Sequence, residues 1–371
     1  MRLNDVQCRG PWPVTLTAMA LMLFTVPGLA ASRIDEIRTI VVQKGLQAPT
    51  PKALEALNEN NLDAGLQAMD LYARYVPPAH LTDNASHSVH LGAEFFVHNS
   101  RAWVRPDPGG PADKAGVPEI GELRAINGKR MDGGGLATIS SVLDKAIQSD
   151  FVGIIVAKRP GGRSKRYKVK PAAYQLPSIT WRRVGTVLVL HINEFVAHDT
   201  APGLSARLKA LVRPGDRVVF DLRGCPGGDL YEALEIAGMF VPAGRPLVLT
   251  NDRSNKIQTF RSPRGKKQQS PFLLLIDSRT ASAAEILVGI LQYHGLAHVV
   301  GERSYGKCVS QTLFPLSDRG GLWLTTLAVN FPNNMSCNGA GIAPDILFPD
   351  ISVTKTENIV NKISLEKIRS H

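Results

Sequence analysis

The spacing of apolar positions changes twice along the body of the chain, and each change marks a different kind of structure. Ile34, Ile37, Ile40 and Val41 recur at helical intervals, and Leu54, Leu57, Leu62, Leu66 and Met69 do so after Pro49 and Pro51. This pattern predicts helix over 33–78, ended by Pro77-Pro78. At about 45 residues the stretch is too short for a comfortable core, so 32–84 reads as an arm or cap on a larger domain. Residues 85–172 switch to short β-like runs: Ala93–Val97, Ala102–Val104, Glu122–Ile126, Val152–Ala157 and Tyr167–Val169. Pro/Gly-rich turns and one helix-like run, Leu136–Ile147, separate them, which suggests a small β-rich module.

From 173 to 350 strands and helices alternate. Thr186–Ile192, Arg217–Leu222, Pro246–Leu249, Phe272–Ile276 and His298–Val300 read as strands. Ala201–Val212, Asp229–Phe240 and Ser282–His294 read as helices between them. That rhythm predicts βαβ units and an α/β domain with buried strands. Residues 351–371 read as a polar tail with a few periodic apolar positions, either a terminal helix or frayed.

Composition narrows the class. The chain has 371 residues, 44% hydrophobic and 20% charged, enough for two or three packed domains. Disordered, collagen-like and polytopic membrane proteins are excluded. The formal charge of +11 comes largely from Lys158–Lys170 and Arg253–Lys267, which read as turns flanked by strands. Neither stretch has the interleaved aromatics of a single-strand groove, and no DNA-binding spacing is present, so no nucleic-acid partner is expected.

Residues 1–31 have the pattern of a secretory signal peptide. Arg2 and Arg9 precede an apolar run, Val14–Val26, and Gly28-Leu29-Ala30 offers small residues for cleavage. The alternative is an uncleaved anchor; either way the body would be periplasmic or secreted. Beyond the leader remain Cys225, Cys308 and Cys337, an odd number for an oxidising compartment. His80, His87, His90 and His98 lack metal-ligand spacing, and no metal or organic cofactor is expected.

Three loops carry candidate chemistry. Asp221-Leu222-Arg223-Gly224-Cys225-Pro226-Gly227-Gly228 joins a strand to a helix, and its glycines can bring backbone N–H groups close to a ligand or an oxyanion. Asp277–Glu285 sets Ser282 at a helix start, with Glu285 at capping-box spacing. A serine there is an N-cap, or a nucleophile facing the helix dipole. Gly301–Gln311 holds Lys307 ahead of a strand.

Together these loops resemble the S41 peptidases, the C-terminal processing or tail-specific protease family. Family segments DLRxNPGG, SASASE and GxxxFGKGxxQ correspond to DLRGCPGG, TASAAE and GERSYGKCVSQ here. Lys307 follows Ser282 by the family's interval of 25 positions, and Asn338–Ile346 is similar to its KGIxPDI segment. Val104–Met131 looks like the core of a PDZ domain, with Leu91, Gly92, Ala93 and Glu94 where a tail-carboxylate loop would lie. Leu66–Pro78 resembles the segment before that domain.

The resemblance implies a crotonase/ClpP-like α/β core with an inserted PDZ-like module. It implies Ser282 as nucleophile, Lys307 as general base, Gln311 orienting the lysine, and an oxyanion hole from the N–H groups of Gly227 and Ala283. Substrates would be proteins or peptides with accessible C-termini, and the arm could support a homodimer. His294 and His298 lack the context of a Ser/His/Asp triad. Cys225 stands where the family has Asn, and Cys308 where it has Gly. A Cys308–Cys337 disulfide, fixing the strand of Lys307, is hypothesised on this alignment. Two other readings stay open: a non-catalytic or latent PDZ adaptor on a peptidase scaffold, and an acyl-CoA enzyme on the related crotonase-like fold.

Overall fold

The computed structural model describes residues 32–82, 89–263 and 272–363. The leader reading therefore lies outside the described residues. Among those described, no helix is long and apolar enough to cross a membrane.

The centre is a six-stranded sheet. Its order is Ile179–Val184, Val187–Ile192, Arg217–Asp221, Phe272–Ile276, Ala297–Gly301 and Ile346–Leu347. The first pair is an antiparallel hairpin; every later neighbour is parallel. Parallel strands need crossovers, and helices Thr200–Leu211, Leu230–Gly238 and Ala283–Tyr293 lie in the first three of them. The alternation within Val187–Ile192 explains the layering. Leu188, Leu190 and Ile192 enter the core under the helices, and Val187 and Val189 enter a smaller core on the opposite face. Helix Ala283–Tyr293 is buried along nearly its whole length, which is why its sequence is apolar all round.

That opposite face is covered by the segment 351–363. Ile351, Ile359 and Ile363 are buried there, the latter two on or just after helix Thr356–Lys362. In the described part of the tail a helix is observed at Thr356–Lys362.

An antiparallel sheet stands beside this layer. Its longest strand, Gly321–Asn330, pairs with Val309–Pro315, Pro246–Asn251 and Arg74–Val76. Pattern reading did not find this strand, and it took Arg74–Val76 for helix. The helical run ends at Met69. Residues before Pro77-Pro78 are biased to extended backbone, and a free strand edge is at hand. In the first basic stretch residues 158–162 turn between strands Val152–Ala157 and Ser164–Val169, as expected; in the second, Ile257–Arg261 is itself a strand.

Residues 93–169 form the β-rich module, an antiparallel sheet with helix Leu136–Ala146 and its own core. Its first hairpin turns at Asn99 and Ser100, both at positive φ, as a two-residue turn between twisted strands requires. Val89–His90 pairs with Ala172–Ala173, so the chain enters and leaves the module side by side.

Candidate active site

The three loops leave the carboxyl ends of neighbouring parallel strands, Arg217–Asp221, Phe272–Ile276 and Ala297–Gly301, and so come together above the sheet. They are laced by backbone bonds. Ala281 N–H donates to the Cys225 carbonyl at 3.0 Å, and Tyr305 N–H donates to the Thr280 carbonyl at 3.0 Å. Cys225 thus holds the serine loop through its main chain, while its buried thiol is pushed up to about 12 by burial.

Ser282 has φ 56° and ψ −123°, an unusual conformation for a residue with a side chain. Such strain costs about 1–3 kcal/mol and is sustained where surrounding structure fixes it. Gly227 lies against this turn at φ 98°. A Cβ there would come within 2.6 Å of the Ala281 carbonyl oxygen, 2.7 Å of Ser282 Cβ and 2.8 Å of the Ala283 nitrogen. The two expected oxyanion donors therefore belong to touching segments, and Ala283 N–H, at the first helical position, has no partner within its helix.

Lys307 is half-buried. Its Nζ donates to Gln311 Oε1 at 2.7 Å. Burial pushes the ammonium below its ordinary value, the charge of Arg74 adds to this, and Asp70 opposes it. Ser282, Ala283, Lys307 and Gln311 line one cavity of about 660 Å³, with Leu230, Ile286, Val309 and Trp323 among its apolar walls.

Glu285 exceeds its expected capping role. Its fully buried carboxylate accepts from Ser282 N–H, Lys307 N–H, Gly306 N–H and Ser304 Oγ at 2.6–2.9 Å. The spacing to Ser282 signalled only the first of these. Cys308 and Cys337 are bonded, with Cα atoms 5.3 Å apart, directly after Lys307. Sequence reasoning also missed Tyr72, whose ring lies 4.7 Å from Lys307 Nζ.

The module residues are placed elsewhere. Leu91 is buried in the module core, and Gly92 donates its N–H to His90 Nδ1 at 2.9 Å. Ala93 opens the first module strand. Glu94 pairs with Arg279 and Arg105, over the Gly224 turn. None of these four lines the Ser282 cavity. Glu94 instead borders a second cavity of about 410 Å³ between module and core. Beneath it, burial would raise Asp221, but the buried Arg223 guanidinium at 2.6 Å holds its carboxyl well below the usual range.

Residues 186–348, which carry all the core loops described above, match the model of peptidase family S41. A CtpA-like serine protease of Staphylococcus aureus is 30% identical over 262 residues, 70% of this chain and 52% of that protein. A carboxy-terminal-processing protease of Bartonella bacilliformis is 27% identical over 330 residues, 85% of this chain and 75% of that protein. A structure assigned as an S41 protease from Bacteroides fragilis superposes with a TM-score of 0.65 at 18% identity, over 93% of this chain and 100% of that one. The photosystem II D1 C-terminal processing protease gives 0.56 at 20% identity, over 86% and 94%. At such identities the structures share the fold. In its core, residues 186–348, the chain is similar to peptidase family S41. It spans about half the length of the first curated relatives it matches.

Proposed function

We propose that the chain is an exported serine endopeptidase working through a Ser282/Lys307 dyad, with the β-rich module acting as a PDZ domain that holds substrate C-termini. The observation that carries this reading is the cavity shared by Ser282 and Lys307, whose loops are tied to one buried carboxylate.

Serine needs a base to lose its proton, and lysine serves as one when burial disfavours its charged form. In the reaction, neutral Lys307 Nζ takes the Ser282 Oγ proton as Oγ attacks the scissile carbonyl. The carbonyl oxygen becomes an oxyanion facing the N–H groups of Gly227 and Ala283. The Lys307 ammonium then gives its proton to the departing amine, leaving an acyl-serine. Water, deprotonated by the same lysine, releases the new carboxylate and restores Ser282. The apolar cavity wall suits an apolar side chain beside the cut bond. The parallel core with its βαβ crossovers supports the crotonase/ClpP-like assignment.

The module reading rests on the Val104–Met131 resemblance and on the edge strand Ala93–His98, beside helix Leu136–Ala146, to which a tail could add as a strand. The test is binding of peptides with apolar and charged C-termini to Ser282→Ala protein. Tail-dependent binding supports the module's role; equal binding of both counts against it.

A further inference from the structure

The arm reaches into the active site through one segment, Asp70–Val76, whose chemistry the dyad alone does not explain. Asp70 anchors it: its carboxylate accepts from Thr325 N–H at 2.7 Å and Thr325 Oγ1 at 3.0 Å. Thr325 is the cross-strand partner of Gln311. Between anchor and strand lies Tyr72, which touches the lysine loop at three points. Its ring centroid is 4.7 Å from Lys307 Nζ. Its hydroxyl donates to the Gly306 carbonyl at 3.3 Å. Its backbone carbonyl accepts from Gln311 Nε2 at 2.7 Å.

The third contact has a consequence for the base. A backbone carbonyl can only accept, so the Gln311 NH2 group must face Tyr72. That leaves Gln311 Oε1 to face Lys307, where it accepts from Nζ at 2.7 Å. A neutral lysine amine has two N–H groups and one lone pair. One N–H held by Gln311 and the ring against the nitrogen leave few directions for the lone pair. We infer that Tyr72 is a positioning residue for Lys307: its carbonyl sets the Gln311 amide, and its ring shields the lysine nitrogen from water on the arm side. This inference rests on the Ser/Lys reading for its catalytic meaning, though not for its physical content.

Two ring effects oppose each other. A ring face stabilises an ammonium, while exclusion of water destabilises it. Lys307 sits below its ordinary value with burial as the leading cause, so losing the ring should raise its titration midpoint.

The experiment compares wild type with Tyr72→Leu, Tyr72→Met and Tyr72→Phe. Trace acetylation of amines across pH, read by mass spectrometry on the Lys307 peptide, gives the lysine's titration whether or not the protein cleaves anything. The pH profile of kcat/KM on an unfolded reporter protein is measured alongside. In Tyr72→Leu the midpoint should move up, and kcat at neutral pH should fall about tenfold with KM little changed. Tyr72→Phe should restore most of both. Tyr72→Met answers the same question if the leucine variant does not fold. An unmoved midpoint in a folded variant lacking the ring overturns the inference, as does an equal shift in Tyr72→Phe. Cleavage that survives Ser282→Ala defeats the peptidase reading, and the lysine titration still decides the Tyr72 contact.

Discussion

The backbone N–H groups of Ser282 and Lys307 meet on a single oxygen, Oε2 of Glu285, at 2.9 and 2.7 Å. Two loops from different strands are thereby held at a fixed separation by one buried carboxylate. Ser304 Oγ and Gly306 N–H fill its other oxygen, so all four donors need an acceptor. Glu285→Gln keeps the shape but turns an NH2 group toward two donors. Leaving buried donors unsatisfied costs about 1–3 kcal/mol each. The expected outcome is a loss of about 3 kcal/mol in denaturant unfolding, with peptidase activity down by about a hundredfold or more as the reacting groups separate.

Gly227→Ala tests the oxyanion turn. The added methyl would meet a carbonyl oxygen, Ser282 Cβ and the Ala283 nitrogen, none of which is the end of a flexible side chain. With φ at 98°, alanine is strained there in any case. Loss of one donor lowers kcat by about 10²–10³. Steady-state kinetics should show that fall with KM nearly unchanged.

The Cys308–Cys337 bond closes a loop with a sequence separation of 29 directly after Lys307. In the chain-entropy account such a loop contributes about 3–4 kcal/mol. Thiol titration of leaderless protein in denaturant should find one free thiol, Cys225. The paired Cys308→Ser/Cys337→Ser variant should unfold at lower denaturant and show lower kcat.

Two pH effects follow from the buried charges. Lys307 is lowered, so the acid limb of kcat/KM should lie below the ordinary lysine range, with activity falling as the amine takes up a proton. Asp221 is depressed through Arg223, so its contribution to stability is present above the unfolded carboxylate value and is lost as pH falls through the folded one. Thermal melts should therefore decline below about pH 4, and Asp221→Asn should flatten that decline while lowering stability at neutral pH.

The α/β core was legible because buried parallel strands and helix starts write their signals locally. Ser282, Lys307, Gln311, Gly227 and Ala283 lie in short motifs, and the fold gathers those motifs at neighbouring strand ends. What escaped was tertiary. Tyr72 and Gln311 are 239 positions apart, and no local pattern announces that one orients the other. Glu285 looked like a capping residue because only one of its four donors is close in sequence. Arg74–Val76 continued a helical run in composition, yet an open strand edge and two prolines decided its backbone. The ion pairs of Glu94 with Arg279 and Arg105 likewise join distant parts of the chain, and no local pattern announces them.

The most direct measurement is cleavage of an unfolded reporter protein with an apolar C-terminus by wild type, Ser282→Ala and Lys307→Ala, each shown to be folded. The account predicts cleavage by wild type alone. Cleavage that persists in folded Ser282→Ala would contradict it and place the nucleophile elsewhere.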